Sequence, residues 1–100
     1  MAVAMLQQTP PARVAQLRAE LDRIDGSILE GIARRCAVAR MLGHAKRDAD
    51  MPIRDMSREA AVVRRAAAFA RDNGLDEERV RHIYWLVIEL ARACQTTDPL

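Results

Sequence analysis

Residues 12–47 read ARVAQLRAELDRIDGSILEGIARRCAVARMLGHAKR and contain no proline. Apolar side chains recur along them at heptad spacing, which predicts one continuous amphipathic helix from about Ala12 to Arg47. The seam consists of Val14, Leu17, Leu21, Ile24, Ile28, Val38, Leu42 and Ala45, and it is interrupted at Gly31 and Arg35. Thr9-Pro10-Pro11 precedes it as a helix start, because threonine caps helices and proline suits the first helical positions.

This predicted helix is too long for the rest of the chain to cover. At ~1.5 Å per residue it spans roughly 54 Å, whereas a compact chain of 100 residues has a radius of gyration of about 13 Å. We therefore expect the apolar seam to meet a partner, most simply a second copy of the chain.

Two shorter helices are predicted after a polar connector, Asp48–Arg54. Asp55 can cap a helix from Met56 to about Asn73, and Asn73-Gly74-Leu75 is a typical helix stop with glycine after the last turn. Asp76 can cap a third helix that ends near Gln95. The residues expected to face inward are Val62, Val63, Ala66 and Ala70 on the second helix, and Val80, Ile83, Tyr84, Val87, Ile88 and Ala91 on the third.

These elements predict an all-α protein with one long N-terminal helix and two shorter ones, forming an intertwined helical homodimer. We expect a single domain over residues 1–100 with its core at about 12–95, and a frayed end over residues 96–100. The composition agrees, since 18 of the 50 apolar residues are alanine and only three residues are aromatic.

Composition also limits the function classes. The chain is 50% apolar and 30% charged, and no apolar run approaches the ~20 residues that cross a bilayer. The start, Met1–Leu6, lacks the basic region and the apolar length of a signal peptide. We expect a soluble cytoplasmic protein, with Cys36 and Cys94 as reduced thiols because two cysteines are too few for a disulfide scaffold. The net charge of +2 argues weakly against nucleic-acid binding.

Polar residues lie on the apolar faces of all three predicted helices. Arg35 lies on the first seam, and Lys46 is three turns further on nearly the same face. Glu59 shares the apolar stripe of the second helix, and Gln95 ends that of the third. Buried charges without partners are costly. Two interpretations remain open: an ion-pair network of Arg35, Lys46 and Glu59, or a site for a small anionic ligand.

An ordered set of motifs resembles the all-helical class of chorismate mutases over about residues 14–95. The motifs are Leu17-Arg18-x-x-Leu21-x-x-Ile24-Asp25, Arg34-Arg35, Gly43-x-Ala45-Lys46, Pro52-Ile53-Arg54-Asp55-x-x-Arg58-Glu59, and Gly74-Leu75-Asp76 with a final helix ending in Gln95. The resemblance implies a Claisen rearrangement of chorismate to prephenate in a dimer with two sites. Such a reaction needs no nucleophile, acid–base pair, metal or cofactor, and no metal-ligand spacing surrounds His44 or His82.

The resemblance also implies roles for individual residues. Arg35 is expected to bind one carboxylate of the dianionic substrate, with Arg18 reaching over from the other subunit. Lys46 is expected to contact the ether oxygen and a carboxylate, and Gln95 to donate the second hydrogen bond to that oxygen. Arg18 and Arg35 are 17 residues apart, about 260° around and roughly 25 Å along one helix, so a single helix cannot bring both to one small molecule.

The remaining implied roles belong to the start of the second helix. Glu59 is expected to accept a hydrogen bond from the ring hydroxyl, with Asp55 beside it. Arg58 is expected to help bind a carboxylate or to shape the electrostatic field around it.

Three alternatives remain beside the chorismate mutase interpretation. Ala91 stands where some similar proteins carry a small hydroxyl residue, so one possible contact with the substrate is absent. 4-Amino-4-deoxychorismate, which carries an ammonium in place of the ring hydroxyl, is therefore an alternative substrate. An isochorismate–pyruvate lyase is a more distant resemblance. A non-enzymatic helical dimer, such as a regulatory or nucleic-acid-binding module, needs an exposed basic stripe, whereas the most informative positive charges here lie on apolar seams.

Overall fold

The computed structural model describes residues 9–97, and they form three α-helices. Helix α1 is Pro10–Asp48, α2 is Met56–Asp72 and α3 is Glu77–Gln95. The described residues contain no strand, so the all-α prediction is confirmed. None of the three helices is long and apolar enough to span a bilayer. The prediction that Met1–Leu6 is not a signal peptide concerns residues outside the described range. The same holds for the predicted frayed end over residues 98–100.

The helix boundaries follow local capping signals. The carboxylate of Asp55 accepts a hydrogen bond from the Arg58 backbone N–H at 3.0 Å, and that of Asp76 accepts one from Arg79 N–H at 2.9 Å. Gly74 adopts φ +69°, and the Leu75 N–H reaches back to the Ala70 carbonyl at 2.8 Å. This is the Schellman closure that ends a helix at a glycine, so all three predicted boundaries are confirmed.

By its internal contacts the chain divides into two units, one ending at Ile32 and one beginning at Ala33. The described part of the first unit is the beginning of α1, where the Thr9 hydroxyl accepts a hydrogen bond from the Ala12 N–H at 3.3 Å. Its seam side chains are all at least 41% exposed: Val14, Leu17, Leu21, Ile24 and Ile28. The first unit thus presents an uncovered apolar face.

The second unit contains the end of α1 together with α2 and α3. One buried cluster joins α2 to α3 through Val62, Val63 and Ile88, with Tyr84 packed against it. A second cluster joins α1 to α3 through Ala39, Ala91 and Cys94. These small side chains allow the helices to approach closely and position the polar residues described below.

One inward-facing assignment is wrong. Ile83 is 56% exposed, because it lies five residues before the buried Ile88 and therefore about 140° away around α3. On α2, Val62, Val63 and Ala70 are buried as predicted, Ala66 is half-buried, and Ala67 is buried as well. Ala67 follows Val63 by four residues, so the buried stripe is rotated slightly from the predicted one.

The prediction of reduced thiols is also wrong. A disulfide joins Cys36 of α1 to Cys94 of α3, with their Cα atoms 5.6 Å apart, inside the usual range for such bonds. The two residues are 58 positions apart in the sequence and meet only because α1 packs beside α3. Cys94 is buried in the core as half of this disulfide. The cytoplasmic location stays a prediction.

Candidate active site

A cavity of about 240 Å³ opens among the end of α1, the start of α2 and the end of α3. Its apolar lining comprises Val38, Ala39, Leu42, Ile53, Val62, Ile88 and Ala91. Its polar lining comprises Arg35, Lys46, Asp55, Arg58, Glu59 and Gln95. An apolar wall with a few converging polar groups is the usual form of a small-molecule site. Six of the seven residues predicted for the site therefore line one cavity.

The seventh predicted residue, Arg18, lies in the first unit. Its side chain is exposed on α1, and the cavity lining within the second unit begins at Arg35. The assignment of Arg18 to a site stays a prediction.

The ammonium of Lys46 is held by two acceptors. Its Nζ donates to the Gln95 Oε1 at 2.9 Å and to the backbone carbonyl of Ile53 at 2.6 Å. An ammonium has three donors, so one N–H remains for a ligand. Because lysine only donates, it also fixes the orientation of the Gln95 amide, whose Nε2 group stays available as a donor.

The backbone of Gln95 is fixed from α1 as well. Arg47 donates from Nη1 to the Gln95 carbonyl at 2.9 Å. Gly43 is buried against the same residue, and a Cβ there would overlap the Gln95 carbonyl oxygen and lie 2.9 Å from its carbon. Glycine at this position therefore permits the close approach of α1 to the end of α3.

We expect Gly43→Ala to destabilise the protein, although alanine favours a helix by up to ~1 kcal/mol over glycine. The clash is with backbone atoms, which cannot move aside cheaply, so overpacking of about 1–3 kcal/mol prevails. Thermal unfolding should show a Tm several degrees below wild type. Gly26→Ala is the matched control, because nothing lies within 4 Å of its Cβ position. An equal or higher Tm for Gly43→Ala would contradict the close-approach role.

Glu59 is surrounded by positive charge. Arg92 of α3 donates to both its carboxylate oxygens, from Nη2 at 2.7 Å and from Nε at 2.9 Å. The Nε of Arg54 lies 3.7 Å from the same carboxylate. The hydrogen bonds from Arg92 hold the pKa of Glu59 below its usual value against the opposing effect of burial, with further lowering by the charges of Arg92, Arg54 and Lys46. The same pair raises the pKa of Arg92.

The postulated ion-pair network of Arg35, Lys46 and Glu59 does not form. Lys46 is bound to Gln95 and Ile53, and Glu59 is bound to Arg92. Within residues 9–97, no hydrogen bond or ion pair holds the half-buried Arg35 side chain. A guanidinium that lines a cavity without a protein partner is suited to bind an anion.

Asp55 and Arg58 lie at the entrance to α2. One carboxylate oxygen of Asp55 is engaged as the helix cap, and the Arg58 side chain is exposed in the first turn. Asp55 therefore stabilises the start of α2, whether or not it also contacts a ligand.

Sequence reasoning missed Arg92, the Ile53 carbonyl and the anchoring role of Arg47. Arg92 had a detectable signal, since it follows the buried Ile88 by four residues and so lies at the edge of the apolar face of α3. The Ile53 carbonyl had none, because a backbone acceptor is independent of residue type. Among the described residues, no group of three or more His, Cys, Asp and Glu side chains could hold a metal ion.

The sequence profile of the chorismate mutase type II family matches residues 17–96. A 4-amino-4-deoxychorismate mutase from Streptomyces venezuelae is 32% identical over 90% of this chain and 85% of its own length. A chorismate mutase from Methanocaldococcus jannaschii is 30% identical over 83% of this chain and 84% of its own.

A solved structure supports the same fold. A conserved hypothetical protein from Pyrococcus furiosus superposes with a TM-score of 0.69 and 28% identity, over 88% of this chain and 99% of that one. The family profile covers α1 from Leu17 onward and the whole of α2 and α3, including every residue that lines the cavity. The chain therefore belongs to the chorismate mutase type II family, a family of isomerases.

Proposed function

We propose that this protein converts chorismate to prephenate in the cavity among α1, α2 and α3. The observation that carries the proposal is the convergence of Arg35, Lys46 and Gln95 on one apolar-walled cavity in a member of this family. In the reaction the ether C–O bond breaks while a new C–C bond forms within the same molecule, so no atom is gained or lost. The protein must hold the reactive pseudo-diaxial conformer and stabilise the charge that develops on the ether oxygen.

Arg35 binds one of the two substrate carboxylates. Its guanidinium is planar and always charged, and it offers paired donors that match a carboxylate. The apolar residues Val38, Leu42 and Val62 lie on the cavity wall, and their contact with the ring displaces water when the substrate binds, which strengthens the electrostatic interactions inside.

Lys46 and Gln95 act on the ether oxygen. The free N–H of Lys46 and the Nε2 of Gln95 are donors on neighbouring groups, since Lys46 already binds the Gln95 Oε1 at 2.9 Å. Donors fixed before the reaction stabilise a charge that appears only in the transition state, without a cost of reorganisation. Lys46 also contacts a substrate carboxylate.

Glu59 accepts a hydrogen bond from the ring hydroxyl, with Asp55 beside it. Two lone-pair directions of the Glu59 carboxylate are used by Arg92, and about two remain for a neutral donor. Arg58, exposed at the rim of the cavity, strengthens the field that holds a carboxylate.

We further propose that the active form is a homodimer. The exposed seam of α1 from Val14 to Ile28 is an apolar face that a second copy would bury. In that dimer Arg18 of one chain completes the site of the other.

A second candidate is the same rearrangement of 4-amino-4-deoxychorismate. Two of the similar proteins, from Streptomyces venezuelae and Streptomyces pristinaespiralis, carry that name. Ala91 on the cavity wall offers no hydroxyl to either substrate.

We expect kcat/KM to be nearly flat from about pH 6 to 8, because the proposed mechanism uses no histidine. The pKa of Glu59 is lowered, so its carboxylate stays ionised throughout this range. Its favourable pairing is lost only as the pH falls through that lowered pKa, well into acid. A pH profile with folding checked by circular dichroism tests this, and a steep change between pH 6 and 8 would contradict it.

The direct test of the proposed function is the ultraviolet absorbance of chorismate in the presence of purified protein. We expect a loss of absorbance proportional to protein concentration, with Lys46→Ala as the matched control whose rate should be about 10²–10³ times lower. A wild-type rate equal to the uncatalysed rate would overturn the proposal.

A further inference from the structure

The ion pair behind Glu59 bears on which substrate the cavity accepts. Glu59 lines the cavity, whereas Arg92 does not, so Arg92 binds the carboxylate from outside the cavity. Both contacts are short, at 2.7 and 2.9 Å, and the Glu59 side chain is only 13% exposed. The negative charge that faces the cavity is therefore already compensated.

More than one positive charge lies near the negative charge of Glu59. Arg54 lies 3.7 Å from the Glu59 carboxylate, and Lys46, on the same cavity wall, also lowers the pKa of Glu59. The Glu59 carboxylate thus has three basic side chains around it: Arg92, Arg54 and Lys46. A further cation placed against Glu59 would be repelled by these three charges, whereas the carboxylates of Glu59 and Asp55 on the cavity lining would supply only two attractions.

The two candidate substrates differ at this point alone. Both carry the same two carboxylates and the same ether bridge, so the contributions of Arg35, Lys46 and Gln95 are common to both. One has a neutral hydroxyl at the ring position that faces Glu59, and the other has an ammonium. A hydroxyl can donate to the free lone pairs of a paired carboxylate, whereas an ammonium must lose its hydration beside a net positive cluster.

We propose that Arg92, through its ion pair with Glu59, makes this cavity select the hydroxyl substrate, chorismate, over 4-amino-4-deoxychorismate. The inference rests on the proposed function, because it assumes that Glu59 faces that ring position. Arg92 is a positioning residue: it touches Glu59 and sets the charge that Glu59 presents to the substrate.

The test is the ratio of kcat/KM for chorismate to kcat/KM for 4-amino-4-deoxychorismate. We expect wild type to prefer chorismate by at least about tenfold, and Arg92→Met to lower that preference by about tenfold or more. The main change should be a rise in kcat/KM for the amino substrate. Arg92→Lys keeps the charge and should keep most of the preference, which a purely structural role for Arg92 does not predict.

Two other variants make the test robust. Arg71→Met is the matched control, because Arg71 also forms an interhelical ion pair, with Glu77 at 3.0 Å, and neither residue lines the cavity. Its ratio should equal that of wild type. Arg54→Met removes an exposed cation beside Glu59 and should shift the ratio in the same direction as Arg92→Met, by a smaller factor. If Arg92→Met does not fold, the ratio measured for Arg54→Met tests the proposal instead.

The outcomes separate the inference from the proposed function. A wild-type preference for the amino substrate overturns the inference, as does a ratio that neither Arg92→Met nor Arg54→Met changes. An equal loss of preference in Arg92→Lys and Arg92→Met also overturns it. If wild type rearranges neither substrate, the proposed function fails and the inference fails with it.

Discussion

Lys46→Ala and Gln95→Ala are each expected to lower kcat by about 10²–10³, while the fold stays intact. Each substitution removes a donor from an oxygen that gains charge only in the transition state, so kcat should fall more than KM rises. Steady-state kinetics on chorismate measure both parameters. Arg64→Ala, an exposed change on α2 outside the cavity lining, serves as the control and should match wild type.

The contact between Lys46 and Gln95 adds a sharper expectation. Because Lys46 fixes the Gln95 amide through its Oε1, loss of Lys46 also releases the orientation of the second donor. The double variant should therefore lose less than the product of the two single losses. Gln95→Glu keeps the shape but replaces the donor with an acceptor, and near neutral pH it should be as impaired as Gln95→Ala. Wild-type kcat in either alanine variant would remove that residue from the mechanism.

Arg18→Ala and Arg35→Ala are each expected to be nearly inactive, yet a mixture of the two should regain activity. In the proposed dimer each site takes Arg35 from one chain and Arg18 from the other. A mixed dimer then has one complete site and one site that lacks both arginines. After random exchange of equal amounts, half of the dimers are mixed, so roughly a quarter of wild-type activity should return.

The exchange itself needs an independent readout, such as mass spectrometry of tagged chains. Arg18→Ala alone and Arg35→Ala alone, taken through the same exchange procedure, are the controls and should stay inactive. If exchange is confirmed and the activity remains at the level of the separate variants, the shared site and the assignment of Arg18 are both wrong.

The sequence predicted the helices well because their ends are encoded locally. Asp55 and Asp76 each cap the helix that follows within three residues, and Gly74 supplies the left-handed turn that stops α2. The burial of individual positions was less predictable. Ile83 fits the apolar pattern of α3, but its exposure depends on where the neighbouring helices lie, which the pattern alone does not contain.

The polar residues of the cavity could be predicted from the sequence because they interrupt apolar faces. The residues with which they form hydrogen bonds and ion pairs could not be predicted. Lys46 and Gln95 are 49 positions apart, and Glu59 and Arg92 are 33 apart. Helical spacing relates residues within one helix, whereas these contacts depend on the packing of different helices. The same reason explains why the Cys36–Cys94 disulfide was missed.

The central claim is that the cavity rearranges its substrate within one molecule, and nuclear magnetic resonance of the product tests it most directly. Purified protein with chorismate should give prephenate as the sole product, in an amount equal to the chorismate consumed, with all carbon atoms retained. The Lys46→Ala protein should give the same product at a rate about 10²–10³ times lower. Release of pyruvate would instead indicate a lyase, and chorismate left unchanged beyond the uncatalysed rate would contradict the account altogether.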